Sequence, residues 1–390
     1  MVKPSLGRDQ SYARVVNNEL VIQKLRESDY SATELAEILD LSHAAMSSIL
    51  KGLLKGNIIK ISYSKSKAGK GRKQVYYTLN EKYGLIIVVS LSDNRYNITI
   101  SNIKEEILLE EEKEIDRYDV AIIYELVLRL KKILSETRFH NIPLQNIIIA
   151  VPGRVNSITG ELQLSKQFDS DLFYGKNSII TIFENHFDAP VIMDNDINLS
   201  IIGEIKCGHL TGVKNAMVAY IDNGMGGALV LNNKFYGGDF GYAGEFGLMH
   251  TTFHGIDSYL DEFASLRSLK NYANKLFNRE FNVAELVKEY KKKGQLYAYI
   301  NETAHLVGHK LRDIIELLNI SNIVLSGRVN LFGEDYLNCV IEEIKKSQNQ
   351  CEIKYSDLAR NSILFGAMSK SVDQTIAHLD NTVIGKVMSS

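Results

Sequence analysis

The chain has 390 residues, 45% of them hydrophobic and 24% charged, with a formal net charge of −2. That length exceeds one ordinary core and predicts two or three units of roughly 80 to 170 residues. No apolar run approaches the about 18 residues of a membrane helix, and MVKPSLGRDQSYARVV lacks the apolar stretch of a signal peptide, so the expected address is cytoplasmic, with no membrane partner.

Charge is distributed unevenly. Residues 1–80 hold thirteen Lys and Arg against seven Asp and Glu, and between Lys51 and Lys73 there are eight basic residues and no acidic one. Such a block is either a solvated tract or a surface for phosphates. Leu20, Val21 and Leu25 recur at helical spacing, and Ser31-Ala-Thr-Glu34 is the capping-box signature of a second helix through Leu35, Ala36, Ile38 and Leu39. Asp40-Leu41 breaks the pattern. Ser42 then caps a third helix with an inward stripe of Met46, Ile49, Leu50, Leu53 and Leu54, leaving His43, Ala44, Ser47, Ser48 and Lys51 outside. A solvent-only face would carry more Glu and Lys, whereas a helix entering the major groove needs short side chains near its start and cations beside the phosphates. Two β-prone runs, Ile58–Tyr63 and Gln74–Leu79, flank SKSKAGKGRK and predict a hairpin with a basic tip. That tip is either a solubilising loop or a wing lying along the DNA backbone or in the minor groove. Helix, turn, helix and hairpin together predict a winged helix-turn-helix over residues 1–80 that binds a double-stranded DNA operator. Its contacts are expected at Ser42, His43, Ala44, Ser47, Ser48, Lys51, Lys70, Arg72 and Lys73.

From Tyr83 onward β runs alternate with helical stretches, the pattern of α/β layers. Strands are expected at Gly84–Ser90, Tyr96–Ser101, Ile147–Val151, Val191–Met193, Ala216–Ile221, Gly227–Leu231 and Asn322–Leu325. Helices fit Asp119–Glu136, Asn177–His186, Leu199–Gly208, Ala284–Lys293, Leu296–Leu318 and Tyr336–Gln348. Met193-Asp194-Asn195-Asp196 follows a strand and places Asp196 where a carboxylate accepts a proton from a substrate hydroxyl, although Asp-Asn pairs also form plain turns. Asp222-Asn-Gly224-Met-Gly226-Gly227 lies between two strands, so its N–H groups approach a phosphate or merely close a glycine hairpin. Cys207, Cys339 and Cys351 are far apart and in no CxxC pairing, which argues against a disulfide framework and a cysteine-rich zinc site.

The order of these segments is informative. A winged helix-turn-helix followed by VPGRV, DNDIN, a GxGG turn with LNNKFYGG, GYAGEFG and LSGRV resembles the ROK family of repressors and sugar kinases, in particular its xylose-repressor and N-acetylglucosamine-repressor branch, over roughly residues 15 to 375. The resemblance implies an actin-like, ribonuclease H-like two-lobed ATPase fold over residues 81–390. Lobe one would cover about 81–200 plus the C-terminal helix, and lobe two about 201–370. It also implies a sugar or sugar phosphate effector in the cleft and a homodimer or dimer of dimers. The ligand positions carried over are Gly153, Asn195, Asp196, Glu245 and Asp261, with Leu248 where the family has histidine.

Two family features are altered. The first phosphate motif, DxGGT in the family, is Ser90-Leu-Ser92-Asp93-Asn94-Arg95 here, without glycine, and the threonine of the second is Asn223. Side chains there keep backbone from closing on a triphosphate. The zinc loop is HTTFHGIDSY, without cysteine, and His250, His254 and Asp257 fall short of a tetrahedral set. The expectation is therefore a regulator, most simply a repressor, with no metal, no cofactor and no catalytic residue, Asp196 being the inactive counterpart of the kinase base. The alternatives are an ATP-dependent sugar kinase with an added DNA-binding domain and an effector-independent DNA binder.

Overall fold

The computed structural model describes residues 6–65, 73–92, 94–165, 167–359 and 361–387; the expected contacts Lys70 and Arg72 lie outside them. The N-terminal unit runs α1 (Leu6–Glu27), β1 (Tyr30–Ser31), α2 (Ala32–Ile38), α3 (His43–Lys55), β2 (Ile59–Lys65) and β3 (Gln74–Leu79). Local chemistry sets its turns. The Ser31 hydroxyl accepts the Glu34 N–H at 3.3 Å while the Ser31 N–H donates to the Glu34 carboxylate at 2.8 Å, so the capping box closes in both directions. Asp40 reverses the chain at φ 51° and the Ser42 hydroxyl accepts the Ala45 N–H at 3.2 Å, starting α3. Met46, Ile49, Leu50 and Leu53 are buried at i, i+3, i+4 and i+7. Val21, Ile22 and Leu25 face the same core, whereas Leu20, one position before that stripe, turns outward and is 44% exposed. β1 and β2 flank β3, both antiparallel to it.

Two further sheets share one plan. The first lobe contains β4 (Leu85–Ser92), β5 (Arg95–Asn102), β6 (Ile107–Glu114), α4 (Val120–Leu134), β7 (Leu144–Val151), β8 (Arg154–Val155), β9 (Leu162–Leu164), α5 (Ile179–Glu184), β10 (Val191–Asn195) and α6 (Asp196–Cys207). The second contains β11 (Ala216–Ile221), β12 (Met225–Leu231), β13 (Lys234–Tyr236), β14 (His250–Phe253), β15 (Ile256–Tyr259), α7 (Asp261–Ala264), α8 (Leu266–Phe277), α9 (Val283–Tyr290), α10 (Gln295–Leu318), β16 (Asn322–Ser326), α11 (Glu334–Ile344) and β17 (Glu352–Tyr355). Strand orders are β6-β5-β4-β7-β10 and β13-β12-β11-β16-β17, each an antiparallel meander joined to two parallel strands. β4 and β7 read as nearly continuous apolar runs because helices or the N-terminal unit cover both their faces.

The last helix, α12 (Asn361–Val387), leaves the second lobe and packs on α6 of the first. Its Ala367, Met368, Val372 and Ile376 join Val21, Ile22, Leu25, Leu50 and Leu53 of the N-terminal unit and Ile86, Val88 and Ile148 of the first sheet in one continuous core. The N-terminal unit is thus seated on the body. Among the described residues no helix is long and apolar enough to cross a membrane.

Candidate functional site

The carboxyl ends of both sheets open onto an interlobe cleft of about 580 Å³, and Gly153, Asn195, Asp196, Glu245 and Asp261 all line it. Their local bonds assign them different work. Gly153 stands where a Cβ would meet the Leu164 carbonyl oxygen at 2.5 Å, and its own carbonyl accepts the Asn195 amide at 2.7 Å. Asn195 also caps α6, its side-chain oxygen accepting N–H groups of Ile197 at 2.8 Å and Asn198 at 3.2 Å. Most of its hydrogen-bonding capacity therefore positions the next residue, Asp196, on the cleft wall at the positive end of α6.

Asp261 is structural in the same way. One oxygen accepts the Met225 N–H at 2.8 Å and the other pairs with Arg267 at 2.6 Å, pinning the β11–β12 turn to α7. Glu245 lies 3.4 Å from the Arg154 guanidinium; burial pushes its carboxyl up from the usual range, Arg154 opposes that, and the Asp261 charge adds to it. Leu248 presents an apolar wall beside them. Asp196 and Glu245, with Ser165, Gln167 and Asn223 around them, give the acceptors and amides that a polyhydroxylated ligand requires.

The other end of the cleft is shaped by residues distant in sequence. β4 and β5 pair as far as Ser92 and Arg95. Tyr118, 2% exposed, accepts the Ser92 N–H at 3.0 Å and donates its hydroxyl proton to a carbonyl of the same turn, Ser92 or Arg95. In the β11–β12 turn Asp222 accepts the Asn223 N–H at 2.7 Å, so Asp222 and Asp261 together occupy the N–H groups of Asn223 and Met225. Both carboxylates are themselves paired, Asp261 with Arg267 and Asp222 with Arg328. Arg328 locks Asp222 there through Nε, at 2.8 and 2.9 Å from the two oxygens, and through its N–H at 3.1 Å. Neither Tyr118 nor the Arg328–Asp222 pair had a signal in the sequence, since neither lies in a recognisable spacing with its partner.

The histidines of the β14–β15 hairpin are separated. His250 meets Asp257 at 3.1 Å while His254, in the turn, meets Glu302 at 2.8 Å. Among the described residues no group of three or more His, Cys, Asp or Glu is arranged to hold a metal ion.

On the N-terminal unit Ser42, His43, Ala44, Ser47, Ser48 and Lys51 are exposed together on the outward side of α3, and exposed Lys73 leads into β3. Sequence reading missed a feature of the hairpin. Tyr63 and Tyr76, paired across β2 and β3, stack at 4.6 Å, and the Lys65 ammonium lies over both rings at 5.4 and 5.6 Å. That stack holds a cation at the base of the basic tip.

A sequence model of the ROK family matches residues 89–368. A xylose repressor of Caldicellulosiruptor bescii is 24% identical over 93% of this chain and 96% of its own length. Among solved structures, a ROK family transcriptional regulator, a homologue of the Escherichia coli MLC protein, superposes with a TM-score of 0.79 at 17% identity, covering 97% of this chain and 100% of its own. A ROK family glucokinase from Streptomyces griseus, solved with glucose and AMPPNP, superposes at 0.61 and 18% identity over 74% of this chain and 99% of its own. The two-lobed body therefore has the actin-like fold common to regulators and kinases of this kind.

Proposed function

The chain belongs to the ROK family, and from that membership we propose that it is a cytoplasmic, dimeric, sequence-specific DNA-binding transcriptional repressor whose interlobe cleft binds a sugar or sugar phosphate effector without turning it over. The observation that carries this reading is the N-terminal unit. It stands outside the residues matched by the family and offers one solvent-facing row, Ser42, His43, Ala44, Ser47, Ser48 and Lys51, beside a basic hairpin, the arrangement of a winged helix-turn-helix. A xylose repressor and a ROK family transcriptional regulator among the similar proteins, each matched over nearly its whole length, support it.

The kinase alternative shares the body and Asp196, but it needs donors for a triphosphate. Tyr118 takes up the Ser92 N–H in the first turn, and Asp222 and Asp261 take up those of Asn223 and Met225 in the second. The test is selection of bound sites from a random duplex pool with the intact protein, repeated with D-xylose, D-glucose and their phosphates. A preferred duplex released by one of these supports the proposal. Binding without sequence preference at physiological salt sinks it, and ATP turnover with a hexose that vanishes in Asp196→Asn favours the kinase.

A further inference from the structure

Two glycines allow α6 and α12 to cross with their backbones in contact. A Cβ on Gly366 would fall 1.7 Å from the Leu199 carbonyl oxygen, and one on Gly203 would fall 2.0 Å from that of Ser362. The buried Ser200 and Ser362 hydroxyls add a hydrogen bond of 2.7 Å at the same crossing. No layer of rotameric side chains separates the helices to absorb a displacement, so they move as one piece.

That piece has one end at the cleft and the other under the N-terminal unit. Directly behind the cleft-lining Asn195 and Asp196, Asp194 of β10, its side chain 11% exposed, accepts the Asn195 N–H at 2.7 Å and the Asn198 amide at 3.1 Å and forms an ion pair with Lys370 of α12. Three residues further along α12, Asp373 pairs with Arg26 of α1 and accepts the Gln23 amide at 3.0 Å, while Ser369 accepts from Arg26 at 3.3 Å. The Arg26 side chain is only 3% exposed and pairs also with Glu105, in the turn between β5 and β6. A buried guanidinium held by two carboxylates from two elements is costly to leave half-paired, so the seat of α1 depends on where α12 lies relative to that turn.

We propose that α12 is the lever through which the cleft communicates with the N-terminal unit, with Asp194–Lys370 as its input and Asp373–Arg26–Glu105 as its output. A ligand that engages the first turn of α6 displaces the residues bound to Asp194. Lys370 follows that carboxylate, α12 follows α6, and Arg26 is repositioned with the helix that carries it. The proposal rests on the reading of the chain as a ligand-responsive DNA-binding regulator. It adds the residues through which that response passes.

Hydrogen–deuterium exchange and duplex affinity of the intact protein test it. The double substitution Asp194→Asn with Lys370→Gln removes the input pair without burying a lone charge. It is expected to raise exchange within residues 15–27 and 43–55 as well as 191–207, and to change the Kd for the selected duplex by at least about threefold. Lys370→Arg, which keeps the ion pair, is expected to leave both readouts at parental values. The reciprocal substitution Arg26→Lys is expected to alter exchange at residues 191–200, some distance from Arg26. Changes confined to 191–207 and 361–377, with duplex affinity within about twofold of the parent, overturn the lever, as does an Arg26→Lys effect that stays within α1. If the protein binds no duplex, the DNA-binding reading fails by itself, and the two exchange experiments still decide whether the cleft and α1 are coupled.

Discussion

Replacing one glycine by alanine is predicted to have opposite effects at two helical positions. At Gly366 the added methyl would sit 1.7 Å from the Leu199 carbonyl oxygen, with the Leu199 carbonyl carbon and the Gly203 nitrogen also within 3 Å. All three are backbone atoms, so no rotamer change relieves the clash and the two helices must separate. Overpacking of this kind costs about 1–3 kcal/mol, against the roughly 0.5–1 kcal/mol that alanine gains over glycine in a helix. At Gly52, within α3, nothing lies within 4 Å of the added methyl, so the helix gain stands alone. Because the Gly366 clash is with backbone at 1.7 Å, its cost lies at the upper end of the overpacking range, and urea denaturation followed by circular dichroism should place Gly366→Ala about 2 kcal/mol below the parent and Gly52→Ala about 0.5–1 kcal/mol above it. A Gly366→Ala variant as stable as the parent would refute the backbone contact between α6 and α12 and, with it, their motion as one piece.

Other consequences are as definite. Ser31→Ala removes the closed capping box of α2 and should cost about 1 kcal/mol in the same assay. Lys51→Ala should weaken duplex binding across sequences and lower the slope of log K against log salt by about 1, whereas substitution at His43 or Ser47 should change which duplex is preferred; equal effects at all three would show that α3 is not the reading helix. Tyr118→Phe strips the hydroxyl from the β4–β5 turn and leaves the Ser92 N–H without its acceptor, a loss of about 1–3 kcal/mol. Because the carboxyl of Glu245 is raised above its usual 4.5, the folded state holds that proton more tightly than the unfolded chain. Its contribution therefore turns unfavourable as pH climbs through the interval just above 4.5. Glu245→Gln should remove that loss, so the variant's stability relative to the parent rises with pH over this interval; a pH-independent difference would contradict the burial of Glu245.

Sequence alone determined what depends on neighbours a few positions apart. The Ser31–Glu34 box, the Ser42 cap, the inward stripe of α3 and the apolar runs of β4, β7 and β11 are each read from a spacing of two to four residues, because hydrogen-bonded turns and pleats repeat at that distance. The outward row on α3 follows from the same periodicity. Motif order also located the five cleft residues. It could not say that Asn195 spends its amide on Gly153 and the α6 cap, or that Asp261 spends its oxygens on Met225 and Arg267, since those partners are chosen by tertiary packing. The same limit hid Tyr118 under the first turn and Arg328 across the second, the latter joined to Asp222 over 106 positions. It hid the seat of the N-terminal unit most completely, because Arg26 meets Asp373 across 347 positions. Charged and polar side chains carry no periodicity that names a distant partner, and a buried guanidinium finds its carboxylates only once three elements have packed around it.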